Sequence, residues 1–139
     1  MVRAGAVLVG GTGATVESQA GMDYLCGEGL ALAQTDLSAA LRAMRLHILA
    51  TTQRVKDCPG LDSHFLAVGP AGIVILGSDG LVTSMPNRWA VGCGEDVGLG
   101  AMFRRGGSPA EVVRVAVEAA CALREGCFGE AIVIEVGSP

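Results

Sequence analysis

Lysine is almost missing from this chain. Lys56 stands alone against nine arginines, no run of basic residues occurs, and the net charge is -4. Without a basic patch there is no electrostatic reason to bind nucleic acid or an anionic membrane, and neither is expected as a partner. Aromatic residues are scarce too, five in 139, so the interior must be filled by Ala, Val, Leu, Ile and Met. No stretch reaches the roughly 18 uninterrupted apolar residues that span a bilayer. The first apolar run, Ala4 to Val9, is too short and too glycine-bounded for a signal h-region. The five cysteines, Cys26, Cys58, Cys93, Cys121 and Cys127, are odd in number and lack paired metal-ligand spacing. No metal and no cofactor are therefore expected, and a reducing cytoplasm suits these thiols best.

What is present is half apolar and rich in glycine, with 21 of them. A chain of 139 residues is long enough to bury its own core, and residues 1–139 are read as a single domain. The stretch from His64 to Phe103 organises the rest. Phe65 to Val68 and Ile73 to Leu76 are short apolar runs separated by Gly69-Pro70-Ala71-Gly72, residue types that a hairpin turn recruits. Ser78-Asp79-Gly80 makes a second turn, Leu81 to Met85 the next strand, and Trp89-Ala90-Val91 a strand-like run into Gly92-Cys93-Gly94. A turn of that kind ahead of a helix lets backbone approach a ligand closely.

Upstream, Ala4 to Val9 reads as a buried strand closed by Gly10-Gly11, with a helix beginning at Thr12-Gly13 and breaking near Gly27. Each glycine inside a helix costs roughly 1 kcal/mol relative to alanine. Gly10-Gly11-Thr12-Gly13 lacks the Lys-Ser/Thr of a phosphate loop and has Val16 where a dinucleotide fingerprint needs its third glycine. Small residues that let a helix start pack tightly on a sheet are the better account. Thr35 or Asp36 caps the next helix. Leu37, Ala40, Leu41, Met44, Ile48 and Leu49 then recur on one face to about Gln53, and His47 is read as a helix-surface or semi-buried residue and not as a catalytic base. Lys56 to Ser63 forms the longest loop.

Downstream, Cys93 to Phe103 is a short helix rich in small residues. Ser108-Pro109-Ala110-Glu111 is a capping signature with proline at the first helical position. Val112, Val115, Ala116, Ala119, Ala120 and Leu123 make the buried face of the helix it opens, Gly126 stops it, and Ala131 to Val136 is a final β-branched strand. The order strand, helix, helix, three strands, helix, helix, strand fits helices layered on a sheet. A doubly wound parallel sheet would alternate single strands with single helices.

This order of features, carried by Phe65–Val68, Ile73–Leu76, Asp79-Gly80, Pro86 and Gly92-Cys93-Gly94, resembles the second half of proteasome-type N-terminal-nucleophile peptidases, the family of the bacterial heat-shock-locus V peptidase and proteasome beta subunits. Val7 to Ala14 resembles the family's Ala-Gly-Gly-Thr-Ala-Asp junction between a strand and its first long helix. The resemblance covers roughly Ala4 to Val136. It implies an α/β (α+β layered) fold, a truncated form of the family's αββα sandwich.

In that family the nucleophile is a Thr at the mature N-terminus, on a strand hairpin that also carries an Asp and a Lys. Met1-Val2-Arg3 supplies no such residue, and Lys56 falls in a loop, so no primary catalytic position carries over. Three weak candidates remain. Cys93 stands where the family's Gly-Ser-Gly-Gly turn has its serine. Glu125 lies near, but about a residue away from, the Asp preceding the last strand. Thr12 follows a glycine, the context in which the family cleaves itself. The resulting expectation is a non-catalytic, self-associating cytoplasmic subunit, a homo-oligomer or part of a larger assembly held through its helices and the sheet edge at Ala4. One alternative is a threonine peptidase activated by processing before Thr12 or by a missing N-terminal segment. Another is a small-molecule-binding module at the Gly92–Gly94 turn.

Overall fold

The chain's first residues fold back on themselves. Strand β1, Val2–Ala4, turns through Gly5 and Ala6 into β2, Val7–Gly13, pairing antiparallel with Val2 opposite Val9 and Ala4 opposite Val7. In this computed structural model, which describes residues 1–52, 60–104 and 106–135, the chain forms two compact units divided after Asn87. The expected single strand over Ala4–Val9 is thus corrected to a hairpin. Gly5, at φ 63, turns the chain where an L-side chain is disfavoured. The strand also runs on through Gly10-Gly11-Thr12-Gly13, and the helix starts later, at Thr15.

The described residues of the first unit form a five-stranded antiparallel sheet in the order β1-β2-β3-β4-β5, with β3 Ser63–Gly69, β4 Gly72–Leu76 and β5 Val82–Met85. Three helices pack on it: α1 Thr15–Cys26, α2 Leu30–Thr35 and α3 Leu37–Thr51. Strand side chains alternate between faces. Val7, Val9, Phe65, Ala67, Val74 and Leu76 point inward to meet Met22, Leu25, Leu41, Met44 and Ile48. The alternate set, Leu8, Leu66, Val68, Ile73, Ile75 and Met85, is only half-buried. It gives the sheet a second apolar face.

The glycines between β2 and α1 are explained by packing. A Cβ on Gly11 would lie 3.0 Å from the Phe65 ring, and one on Gly21 of α1 would meet the same ring and the Met44 sulfur. Gly13 sits at φ 113, where a Cβ would fall 2.1 Å from the Asp62 carbonyl oxygen. The junction is closed by hydrogen bonds. The Ala14 N–H donates to the Asp62 carbonyl at 3.3 Å, Ser63 Oγ donates to the Ala14 carbonyl at 3.2 Å, and the Asp62 N–H donates to Glu17 Oε2 at 2.8 Å. Glu17 is buried.

Helix α1 stops at Cys26 with Gly27 as its cap, and the chain restarts as the separate short helix α2. Asp36 caps α3, its carboxylate accepting from the Ala39 N–H at 2.9 Å. Leu37, Ala40, Leu41, Met44 and Ile48 form the buried face. His47 is half-buried with its ring 5.1 Å from that of Tyr24. The expected end at Gln53 and most of the following loop, with Lys56 and Cys58, lie outside the described residues.

The second unit, Arg88 to Glu135, is built on α4, Glu95–Arg104, and α5, Pro109–Leu123. Ser108 and Glu111 form the full capping box, the Glu111 N–H donating to Ser108 Oγ at 3.3 Å and the Ser108 N–H to Glu111 Oε2 at 3.0 Å. Met102, Val112 and Ala116 are the core, joined by Ala90 and Ala101. Four expectations fail in this unit. Trp89 to Val91 is not a strand, α4 begins at Glu95 instead of Cys93, Leu123 is 72% exposed instead of buried, and Ala131 to Glu135 forms no strand. β-propensity needs a partner edge to become a strand, and the described residues of this unit contain none. Val136 is outside the described residues.

Candidate functional site

The Gly92-Cys93-Gly94 turn carries Cys93, one of the three candidate residues. The structure gives it a specific partner. Gly92 adopts φ 112, its carbonyl accepts from the Glu95 N–H at 3.1 Å, and the Gly94 carbonyl accepts from the Gly98 N–H at 2.9 Å. The turn thereby feeds directly into α4. It also lies hard against the end of α5, since a Cβ on Gly94 would sit 2.6 Å from the Ala120 Cβ and 3.0 Å from Cys127 Sγ. Glycine is what allows this approach.

The consequence is a thiol pair. Cys93 Sγ and Cys127 Sγ are 2.8 Å apart, with Cys93 exposed and Cys127 half-buried. The Cys127 thiol is pushed up to about 11, first by its hydrogen bond with Cys93 and then by desolvation. Beside the pair, the Arg124 guanidinium binds the Asp96 carboxylate through both oxygens. That contact, with a further hydrogen bond from the Val97 N–H, holds Asp96 below the usual carboxylate range, and Arg124 is held above its ordinary value by the same contact. Arg124 is fixed by its backbone N–H, 3.0 Å from the Ala120 carbonyl, and the Cys127 N–H returns to the Arg124 carbonyl at 3.3 Å.

Of the three candidate residues, Cys93 and Glu125 belong to the second unit and Thr12 to the first. Cys93 meets Cys127, not Glu125, which is exposed just beyond α5. Thr12 lies on β2, half-buried and in register with His64 of β3, and the preceding Gly11 is in register with Phe65. The Gly11–Thr12 bond is therefore inside a paired strand. Sequence reasoning missed Cys127, Asp96 and Arg124. Cys127 is 34 residues from Cys93, a separation with no motif signature, and Asp96 with Arg124 reads as two ordinary surface charges. Among the described residues no cluster of His, Cys, Asp or Glu is arranged to hold a metal ion.

No protein-family model matches the sequence, and no curated protein matches it. Solved structures do. The Thiobacillus denitrificans BPH in complex with epoxomicin is 24% identical with a TM-score of 0.74, over 98% of this chain and 79% of that one. A second structure of Thiobacillus denitrificans BPH gives 19% and 0.73, over 99% and 80%. The eukaryotic HslV from Trypanosoma brucei gives 14% and 0.69, over 89% and 72%. These likenesses establish the fold, which is a proteasome/HslV-like N-terminal-nucleophile fold of the α+β class. No described helix is long and apolar enough to cross a membrane.

Proposed function

We propose that this chain is a non-catalytic, proteasome-like subunit of the cytoplasm that assembles with copies of itself or with other subunits into a larger particle. The observation that carries the reading is the sheet edge. Among the described residues strand β1 ends the sheet and pairs only with β2, and an edge of this kind is a template for another chain. The half-buried apolar face of the same sheet supports the reading as well. So does the position of Gly11–Thr12, since self-cleavage there would remove β1 and most of β2. Val7 and Val9 are fully buried, and burying such side chains is worth about 1.5 to 3 kcal/mol each.

The edge can be tested without disturbing the hairpin. In an antiparallel hairpin with a two-residue turn, opposed pairs alternate between hydrogen-bonded and non-hydrogen-bonded, and the pair closing the turn is bonded. Ala4 closes the turn with Val7, so the backbone groups of Arg3 face outward. Arg3→Pro removes only an outward N–H. Light scattering coupled to size exclusion is expected to show the wild type as an oligomer and Arg3→Pro as a smaller species with unchanged circular dichroism. A monomeric wild type would overturn the proposal.

A second reading has one observation behind it. The structural match spans 98% of this chain but 79% of the first Thiobacillus chain, leaving a share of that chain without a counterpart here. On this reading the chain is the body of a longer threonine peptidase. An in-frame upstream segment opening with Thr and carrying Asp and Lys, whose inclusion confers hydrolysis of fluorogenic peptides, would establish it in place of the first.

A further inference from the structure

We propose that Cys93 and Cys127 form a reversible disulfide, a modification site that staples the turn before α4 to the segment after α5. Among the described residues theirs is the one pair of sulfurs in hydrogen-bond contact, at 2.8 Å. The S–S bond is about 2.05 Å, so forming it asks for a movement of less than an ångström. The backbone holds the two sides together independently of the thiols. Gly94 has room for no side chain between itself and Ala120, and the Asp96–Arg124 ion pair ties the first turn of α4 to the residue after α5. The pair stands outside every role assigned above, and it does not depend on whether the chain is an assembly subunit or part of a peptidase.

The oxidant is a low-molecular-weight disulfide such as glutathione disulfide. Cys93, the exposed thiol, loses its proton and attacks one sulfur, expelling a first glutathione thiolate and leaving a mixed disulfide on Cys93. Cys127, placed beside it, loses its proton and attacks the Cys93 sulfur, expelling the second glutathione thiolate. The two protein thiols give up two electrons and two protons, and one glutathione disulfide becomes two glutathiones. An excess of glutathione runs the sequence backwards. Cys127 is suited to the second step by its position, with its sulfur 2.8 Å from that of Cys93.

The test uses the whole chain equilibrated across glutathione disulfide-to-glutathione ratios, trapped with a maleimide and digested with trypsin. Cleavage at Arg104, Arg114 and Arg124 places Cys93, Cys121 and Cys127 on separate peptides. The expected product joins the Cys93 and Cys127 peptides, with the intact mass lower by two hydrogens, and dithiothreitol removes it. Labelling of Cys93 should fall by about tenfold or more as the link forms. The link should persist in Cys26→Ser and Cys121→Ser and vanish in Cys93→Ser and Cys127→Ser. The wild-type peptide map is decisive even if a serine variant misfolds. Glutathione persisting on Cys93 at every ratio, or Cys127 joined to Cys121 instead, would overturn the proposal.

Discussion

Replacing Gly13 by alanine isolates what the glycine-rich stretch after Val9 is for. At φ 113 the new Cβ would stand 2.1 Å from the Asp62 carbonyl oxygen, 2.7 Å from the Ser63 Cα and 2.9 Å from the Asp62 carbonyl carbon. All three are backbone atoms, so no side chain can swing aside. The disfavoured backbone conformation alone costs about 1–3 kcal/mol. Moving Asp62 away would also weaken the 2.8 Å hydrogen bond from its N–H to buried Glu17, and leaving a buried polar group unsatisfied costs about 1–3 kcal/mol. The expected loss is about 3–5 kcal/mol, against a total of about 5–15 kcal/mol for a typical domain. At about 3 °C per kcal/mol for a chain of this size, the melting temperature should fall by about 10–15 °C. Gly10 is the internal control. A Cβ there meets nothing within 4 Å and the backbone is not at positive φ, so Gly10→Ala should change stability by less than about 0.5 kcal/mol or raise it slightly. Thermal melts and urea titrations of both variants measure the contrast. If Gly13→Ala proved as mild as Gly10→Ala, the packing account of this motif would be wrong.

Phe65 is fully buried between β2, α1 and α3, so Phe65→Ala should cost about 3–5 kcal/mol. If residues 1–139 unfold as one domain, the fluorescence transition of Trp89, which lies in the second unit, should move with it; a Trp89 transition left in place would mean that unit unfolds on its own. Asp96 has a folded-state pKa below its unfolded one, so its contribution is present above the unfolded value of about 3.9 and is lost as pH falls through the folded value. Asp96→Asn should therefore melt lower than wild type at neutral pH, with the small difference expected of an exposed pair, and the two should converge under strong acid; a difference that grew in acid would contradict the ion pair.

The first unit was largely legible because its signals are local. The 69–72 turn, the helical spacing from Leu37 to Ile48 and the Asp36 cap each lie within a few residues of the structure they specify. The same holds for the Ser108 capping box in the second unit. The reading of Ala4–Val9 as one strand failed because a short apolar run does not distinguish one strand from a hairpin whose turn falls within it. Gly5, which marks that turn, was read as part of an apolar run. The terminal strand at Ala131 failed for the opposite reason: Ile132 and Ile134 have the right propensity, but propensity alone cannot supply a partner, and both side chains are exposed at 76% and 46%.

The candidate site was half legible, and the missing half is tertiary. Cys93 could be singled out because a glycine on either side announces an unusual turn. Nothing adjacent in sequence announces Cys127. It reaches Cys93 only because α5 ends at Leu123, three residues before Gly126, and Ala120 then fits against a bare Gly94. A bulky residue at either position would hold the two segments apart. The thiol contact is thus set by a glycine and an alanine, and of the two only the glycine stands out in the sequence. The same packing sets Ala120 and Cys127 against Gly94, so that stretch makes a contact between two parts of its own chain.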